Sequence, residues 1–282
     1  MAFPTAVGVS HFVKVAGRQI HYRSFNSTEV EKPGLLFIHG MWAHSHWWDH
    51  IVPFYLDRFR VIAMDLGGMG DSDKAEHYSG KGYGHEVLAV LKDAGFSRAT
   101  VIAHSFGGTP ALFACHLDPS AISHLILVDS RLAVPGMPAP TAEQRRMSKF
   151  MRRVYESPEI AIDRYRLIPP GAPVAPELLA RIARYGLREE SGGWTWKFDI
   201  NVDPELTDDP KRVIPGDIMT PIDYIYGEKS GVVDPEMVEL ITAFLGTCGE
   251  PRMLQGAYHH IVLEHPELLV EALDEVIMVR MA

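Results

Sequence analysis

The ten residues Thr100-Val-Ile-Ala-His-Ser-Phe-Gly-Gly-Thr109 constrain this chain more than any other stretch. A β-branched run over 100–102 predicts a buried strand and 106–116 predicts a helix, so Ser105 falls on the turn between them. A bend that sharp tolerates only small neighbours, which Ala103, Gly107 and Gly108 supply. It lifts the serine hydroxyl above the end of the strand. Alanine at 103 replaces the glycine usual at the start of such a bend and is the next smallest residue.

The remaining sequence repeats the alternation of strand and helix. Strand signals recur at 35–38, 59–64, 123–129, 222–227 and 251–254, several of them continuously apolar as strands buried on both faces must be. Helical spacing appears over 45–54, 84–94 and from Pro266 to the end, where proline takes the first helical position. Ahead of them, residues 11–25 alternate apolar and polar about Ala16-Gly17, which predicts an antiparallel hairpin at the sheet edge.

Between 131 and 216 no strong strand is evident. Proline clusters and helical runs at 141–156 and 176–188 predict an inserted helical cap, set into a core formed by 1–130 and 217–282. The predicted fold class is α/β, a mostly parallel doubly wound sheet with that cap inserted.

Composition removes several classes of function. A net charge of −9 and the lack of a basic cluster argue against nucleic acid. No export signal and no apolar run approaching about 20 residues is found, so the expectation is a cytoplasmic protein that does not enter a membrane. Two cysteines, Cys115 and Cys248, make no disulfide framework and have no metal-ligand spacing. His44, His46 and His50 read as the polar face of a helix, and Gly67, Gly68 and Gly70 as a tight turn in place of a phosphate cradle. No metal and no organic cofactor is expected, the partner is a small-molecule substrate, and oligomeric state is not readable.

In a sheet of this kind, chemistry gathers at the carboxyl ends of the strands. A serine hydroxyl needs a base to take its proton, and the base needs a third group to fix its tautomer. His259 or His260, beyond the last strand, can be the base, and Asp129, ending an earlier strand, can orient it. Backbone N–H groups of Met41 and Phe106 can receive a developing oxyanion.

These residues carry a resemblance to the α/β-hydrolase superfamily. His39-Gly40 matches its oxyanion loop, and Asp65-x-x-Gly68-x-Gly70-x-Ser72 its characteristic turn. Ala103-His-Ser105-Phe-Gly107 matches the nucleophile bend, and His259 stands five residues before Glu264-x-Pro266 as the family's catalytic histidine does. The resemblance implies a triad of Ser105, His259 and an acid, with His104 and His260 as packing or pocket residues. It also implies that the aspartate nucleophile of epoxide hydrolases is replaced here by serine.

The acid departs from the family pattern. The segment that usually carries it reads Gly227-Glu-Lys-Ser-Gly-Val-Val-Asp234, with Ser230 at the aspartate's place. Asp129 is the expected substitute, with Asp234 and Glu228 as alternatives. The implied activity is hydrolysis of a carboxylic ester or lactone through an acyl-enzyme. A carbon–carbon bond hydrolase or lyase using the same triad, and a non-catalytic ligand receptor on the same fold, are the other readings. Trp42, His104 and Trp194 are the candidate pocket residues, with Tyr155, Tyr165, Trp196 and Phe198 as further cap aromatics.

Overall fold

Side chains alternate across a strand, and here both faces of the central strands are apolar. In the computed structural model, which describes residues 5–138, 153–203, 206 and 214–281, Leu36 and Ile38 enter one core while Leu35 and Phe37 enter another. The strands are β1 (Val9–Val15), β2 (Arg18–Ser24), β3 (Gly34–Ile38), β4 (Arg60–Met64), β5 (Ala99–His104), β6 (Ile122–Val128), β9 (Ile222–Gly227) and β10 (Arg252–Leu254). They form one eight-stranded sheet in the order β1-β2-β4-β3-β5-β6-β9-β10. β1 and β2 pair antiparallel, as do β2 and β4, and every other pairing is parallel. The predicted hairpin turn is present, with Ala16 and Gly17 at φ 48° and 85°, the left-handed pair that matches strand twist.

Helices cover both faces. On one side α1 (Gly80–Asp93), α2 (Gly108–Leu117) and α5 (Pro235–Leu245) bury Val87, Val90, Leu112, Val238 and Ile241. On the other, α7 (Pro266–Met281) buries Leu269, Leu273 and Ile277 beside Trp48 and Ile51. Each such side chain contributes roughly 1.5–3 kcal/mol when fully buried, so a register slip in a central strand would be costly on both faces at once.

Three local expectations need correction. Residues 45–54 form two short 3₁₀ turns, Ser45–Trp48 and Val52–Phe54, in place of one α-helix. Helix α1 begins at Gly80, four residues before the predicted 84, because Ser79 caps it by accepting from the Gly82 amide at 3.0 Å. Gly80 and Gly84 face α2: a Cβ on Gly84 would lie 2.9 Å from the Phe113 carbonyl carbon, so closeness of the helices, not a loop, explains them.

The third correction concerns 131–216, where a strand pair does occur. After α3 (Pro158–Asp163) and α4 (Pro176–Tyr185), strands β7 (Leu187–Glu190) and β8 (Gly193–Trp196) form an antiparallel hairpin, so the predicted helix over 176–188 stops at 185. The predicted helix over 141–156 falls largely outside the described residues. Helix α4 docks on the segment after β3: Arg181 bonds Asp49 at 3.0 Å, and the Tyr185 ring stacks on His46 at 3.6 Å. Nor are His44 and His50 a polar face. Both are buried, joined to the carbonyls of Ile182 and Val262 at 3.1 and 2.7 Å.

Candidate active site

Five non-glycine residues among those described have positive φ; two of them, Ser105 at 52° and Asp129 at 50°, directly follow neighbouring strands, and a third, Trp42 at 56°, lies in the loop after β3. Backbone strain of this kind gathers where surrounding structure holds a functional geometry. Ser105 follows β5 directly, and its half-buried side chain sits where the strand turns into the 3₁₀ start of α2. A Cβ on Gly40 would lie 3.1 Å from the Ser105 Cβ, and one on Gly107 would lie 2.6 Å from the His39 carbonyl oxygen. The two glycines therefore let the 39–41 loop press against the bend. Phe106 opens the helix, where backbone N–H groups have no intrahelical partner.

His39 fixes that loop. Its Nε2 accepts from the Leu66 amide at 3.1 Å, which places the ring proton on Nδ1, where it donates to the Gly40 carbonyl at 2.7 Å. Burial holds the ring's pKa below the ordinary histidine value, so it stays neutral and keeps this donor–acceptor pattern.

The acid and the histidine are brought together by sheet register. His104 of β5 pairs with Val128 of β6, so the next residues, Ser105 and Asp129, leave the sheet side by side. Asp129 is fully buried and its Oδ1 accepts from His259 Nδ1 at 2.7 Å. The same Oδ1 accepts from Ser230 Oγ at 2.6 Å, and Oδ2 from the Gly227 amide at 2.8 Å. The residue occupying the family's usual acid position thus donates to the carboxylate on the neighbouring strand. Asp234 and Glu228 are engaged elsewhere, capping α5 through the Met237 amide and accepting from the Gly256 amide, each at 2.8 Å.

Two further histidines stand behind His259. His104 Nε2 donates to the His259 carbonyl at 2.9 Å, and burial drives the His104 pKa down to about 3. With 1 % exposure its ring backs the histidine and does not face open space. His260, 5 % exposed, has the Ile168 and Pro169 carbonyls as its backbone partners, and burial holds its pKa well below the ordinary value. Glu264, partly buried, has its pKa raised to about 7 by desolvation. Neither the closeness of the three imidazoles nor the state of Glu264 was signalled by the sequence beyond the pair His259-His260 itself.

Of the candidate pocket residues, Trp42 approaches Phe198 with ring centroids 6.0 Å apart. Trp194 exchanges backbone hydrogen bonds with Tyr155, each 2.8 Å, so its backbone belongs to the insertion's own sheet. Among the described residues no helix is long and apolar enough to cross a membrane.

A doubly wound sheet with a serine on the bend after β5 and an acid–histidine pair beside it is the architecture of one large class of proteins. The chain belongs to the alpha/beta hydrolase family, whose model matches residues 35–272. It is 24 % identical to epoxide hydrolase 1 of Caenorhabditis elegans over 296 residues, covering 93 % of this chain and 68 % of that protein. An esterase of Mycobacterium tuberculosis is 25 % identical over 264 residues, covering 88 % of this chain and 84 % of that protein. Against three further mycobacterial proteins the similarity runs for 115 residues, 34 % of their length. In fold it is similar to the thioesterase domain of the curacin biosynthetic pathway, with a TM-score of 0.77, 21 % identity, and coverage of 94 % of this chain and 99 % of that one.

Proposed function

We propose that this protein is a serine hydrolase that cleaves a carboxylic ester or lactone of a small organic molecule through an acyl-enzyme. The observation that carries the reading is the buried hydrogen bond of His259 Nδ1 to Asp129 at 2.7 Å, beside a serine held at φ 52°. With its Nδ1 proton donated to the carboxylate, His259 presents a lone pair on Nε2. That nitrogen takes the Ser105 proton as Oγ attacks the carbonyl carbon, while the Met41 and Phe106 amides receive the oxyanion. The same proton passes to the departing alcohol oxygen. Water then enters and gives its proton to His259 as it attacks the acyl carbon, and His259 returns that proton to Ser105 Oγ as the acid is released.

Similarity to an epoxide hydrolase and to an esterase leaves the nucleophile to decide between them, and a serine forms an ester where an aspartate would have opened an epoxide. The segment between β6 and β9 then serves as a cap over the site, with Trp42 and Trp194 toward the substrate and no metal or organic cofactor taking part in the reaction. A fluorophosphonate probe tests the reading, followed by a chain-length panel of nitrophenyl esters. Stoichiometric labelling at Ser105 together with ester turnover is the expected result. An unlabelled serine favours a ligand receptor, and labelling with turnover confined to ring-cleavage dienoates favours carbon–carbon hydrolysis.

A further inference from the structure

Among the described residues, two groups of side chains bring three potential metal ligands together, and they differ in what their atoms are already doing. In the first, His21, Asp65 and Asp71, the Asp65 oxygens are taken: Oδ2 by His21 Nδ1 and the Asp71 amide, Oδ1 by the Ser45 amide, at 2.7, 2.9 and 2.5 Å. That group is a closed knot. In the second, one ring nitrogen each of His104, His259 and His260 lies within 4.8 Å of the other two, and all three rings are buried. His104 donates from Nε2 to the His259 carbonyl, so its lone pair is on Nδ1, which is buried without a partner. His259 donates from Nδ1 to Asp129 and keeps its lone pair on Nε2. His260, neutral when buried, has one N–H for the Ile168 and Pro169 carbonyls and keeps a lone pair on its other nitrogen, which no part of the proposed hydrolysis uses.

We propose that His104, His259 and His260 form a binding site for a divalent transition metal of the zinc class, and that metal bound there silences the hydrolase by taking His259 out of the proton relay. The claim of silencing rests on the reading of His259 as the base; the claim of binding does not. Three imidazoles are the protein ligand set of open zinc sites, and imidazole suits zinc, nickel and copper. The outer shell is in place as well. Metal-bound histidines usually donate their second nitrogen to a carboxylate or a backbone carbonyl, as His259 does to Asp129 and His104 to the His259 carbonyl. Tetrahedral zinc with bonds of about 2.0–2.1 Å needs its nitrogens roughly 3.3 Å apart, so the rings would close on the ion by about an ångström. Binding forms bonds from three neutral nitrogens to the cation and moves no electron.

The test uses the whole chain and two probes, Co²⁺ for its visible absorption and Zn²⁺ for competition and activity. Wild type is expected to take up one Co²⁺ with the absorption of a tetrahedral nitrogen site, to give it up to Zn²⁺, and to lose ester turnover in step with Zn²⁺ occupancy, with recovery on chelation. His260→Phe keeps a flat ring without lone pairs and lies outside the proposed triad. Its Zn²⁺ affinity should fall by at least about 10–100-fold. If that variant does not fold, His260→Gln is the second. Absence of a tetrahedral Co²⁺ spectrum in wild type, or a spectrum unchanged in the folded His260 variant, overturns the site. Binding that depends on His260 while turnover continues upholds the site and removes His259 as the base. If no ester is turned over at all, the Co²⁺ spectra still decide the site.

Discussion

Two carboxylates end parallel strands in this sheet, and each holds a histidine at 2.7 Å, Asp65 with His21 and Asp129 with His259. Both are buried, at 1 % and 0 % exposure. What separates them is the far side of the ring. His21 Nε2 meets Ser10 Oγ at 3.0 Å, so both nitrogens are occupied and the pair ties the β2 strand to the 65–72 turn. For His259 no bond to the far nitrogen is formed among the described residues, and its partner Asp129 leaves the sheet next to Ser105. A carboxylate–histidine pair is therefore a staple or a base according to whether its second nitrogen has a permanent partner.

The sharpest way to break this comparison is to remove each ring in turn. His259→Ala should lower kcat by on the order of 10⁶, since loss of one triad member removes the concerted relay, and should also lower the melting temperature by stripping a buried donor from Asp129. His21→Ala should lower the melting temperature without the catalytic loss. Breaking a buried pair costs about 3–5 kcal/mol, seen as a drop in melting temperature, while turnover per folded molecule is retained. Steady-state kinetics with thermal denaturation on both variants check this. Equal catalytic losses would erase the distinction.

The carboxylates come next. Asparagine at 129 must still accept from the Gly227 amide, which turns its NH₂ toward His259 and forces the proton onto Nε2; kcat should fall by about 10⁴. Asp65→Asn should cost stability instead. Adding Ser230→Asp to Asp129→Asn returns a carboxylate to the neighbouring strand, and recovery of at least about tenfold in kcat is expected, the equivalent of roughly 1.4 kcal/mol. No recovery would mean that the β9 position can no longer reach His259.

Much of this contrast is written in residue order, and part of it is not. The alternation of apolar strands, the bend at Ser105 and the Asp65 turn are local patterns, fixed by side-chain size and glycine over a few positions, so they could be read directly. Asp129 was legible as a strand end, but its bond from Ser230 depends on β6 and β9 lying side by side, a long-range pairing with no local sign. The same reason hid His44 and His50, whose partners are carbonyls 138 and 212 residues away. The β7–β8 hairpin was missed because a Gly-rich, Trp-containing stretch between prolines carries no clear period. Residues 45–54 carry helical spacing but fold as 3₁₀ turns, since Pro53 cannot donate to an α-helical ladder.

A smaller effect sharpens the comparison from outside the pair. Ser230 Oγ is one of three donors to Asp129, and a hydrogen bond to a charged group contributes about 1.5–3 kcal/mol. Ser230→Ala leaves the His259 and Gly227 donors in place, so the carboxylate survives, less well stabilised. The expected loss is roughly tenfold in kcat, read by steady-state kinetics. An unchanged kcat would leave Ser230 as packing alone.

The smallest expected effect belongs to Glu264, which no counterpart in the Asp65 knot resembles. Burial raises its carboxyl from 4.5 to about 7, with His259 opposing the shift. The folded state therefore holds a proton that the unfolded chain releases above about pH 4.5, so stability declines as pH rises from there toward 7 and levels off beyond it. Glu264→Gln keeps the neutral shape and removes the titration. Melting temperatures taken from pH 4.5 to 8 should show the variant losing this part of the decline and exceeding wild type at the alkaline end. Because the group is only partly buried, solvent screens the charge and the gain is small. A variant that tracks wild type across that range would mean the carboxyl ionises freely in the folded protein. His259 would then work beside a second charge, and the Asp129 pair would no longer be the sole carboxylate acting on it.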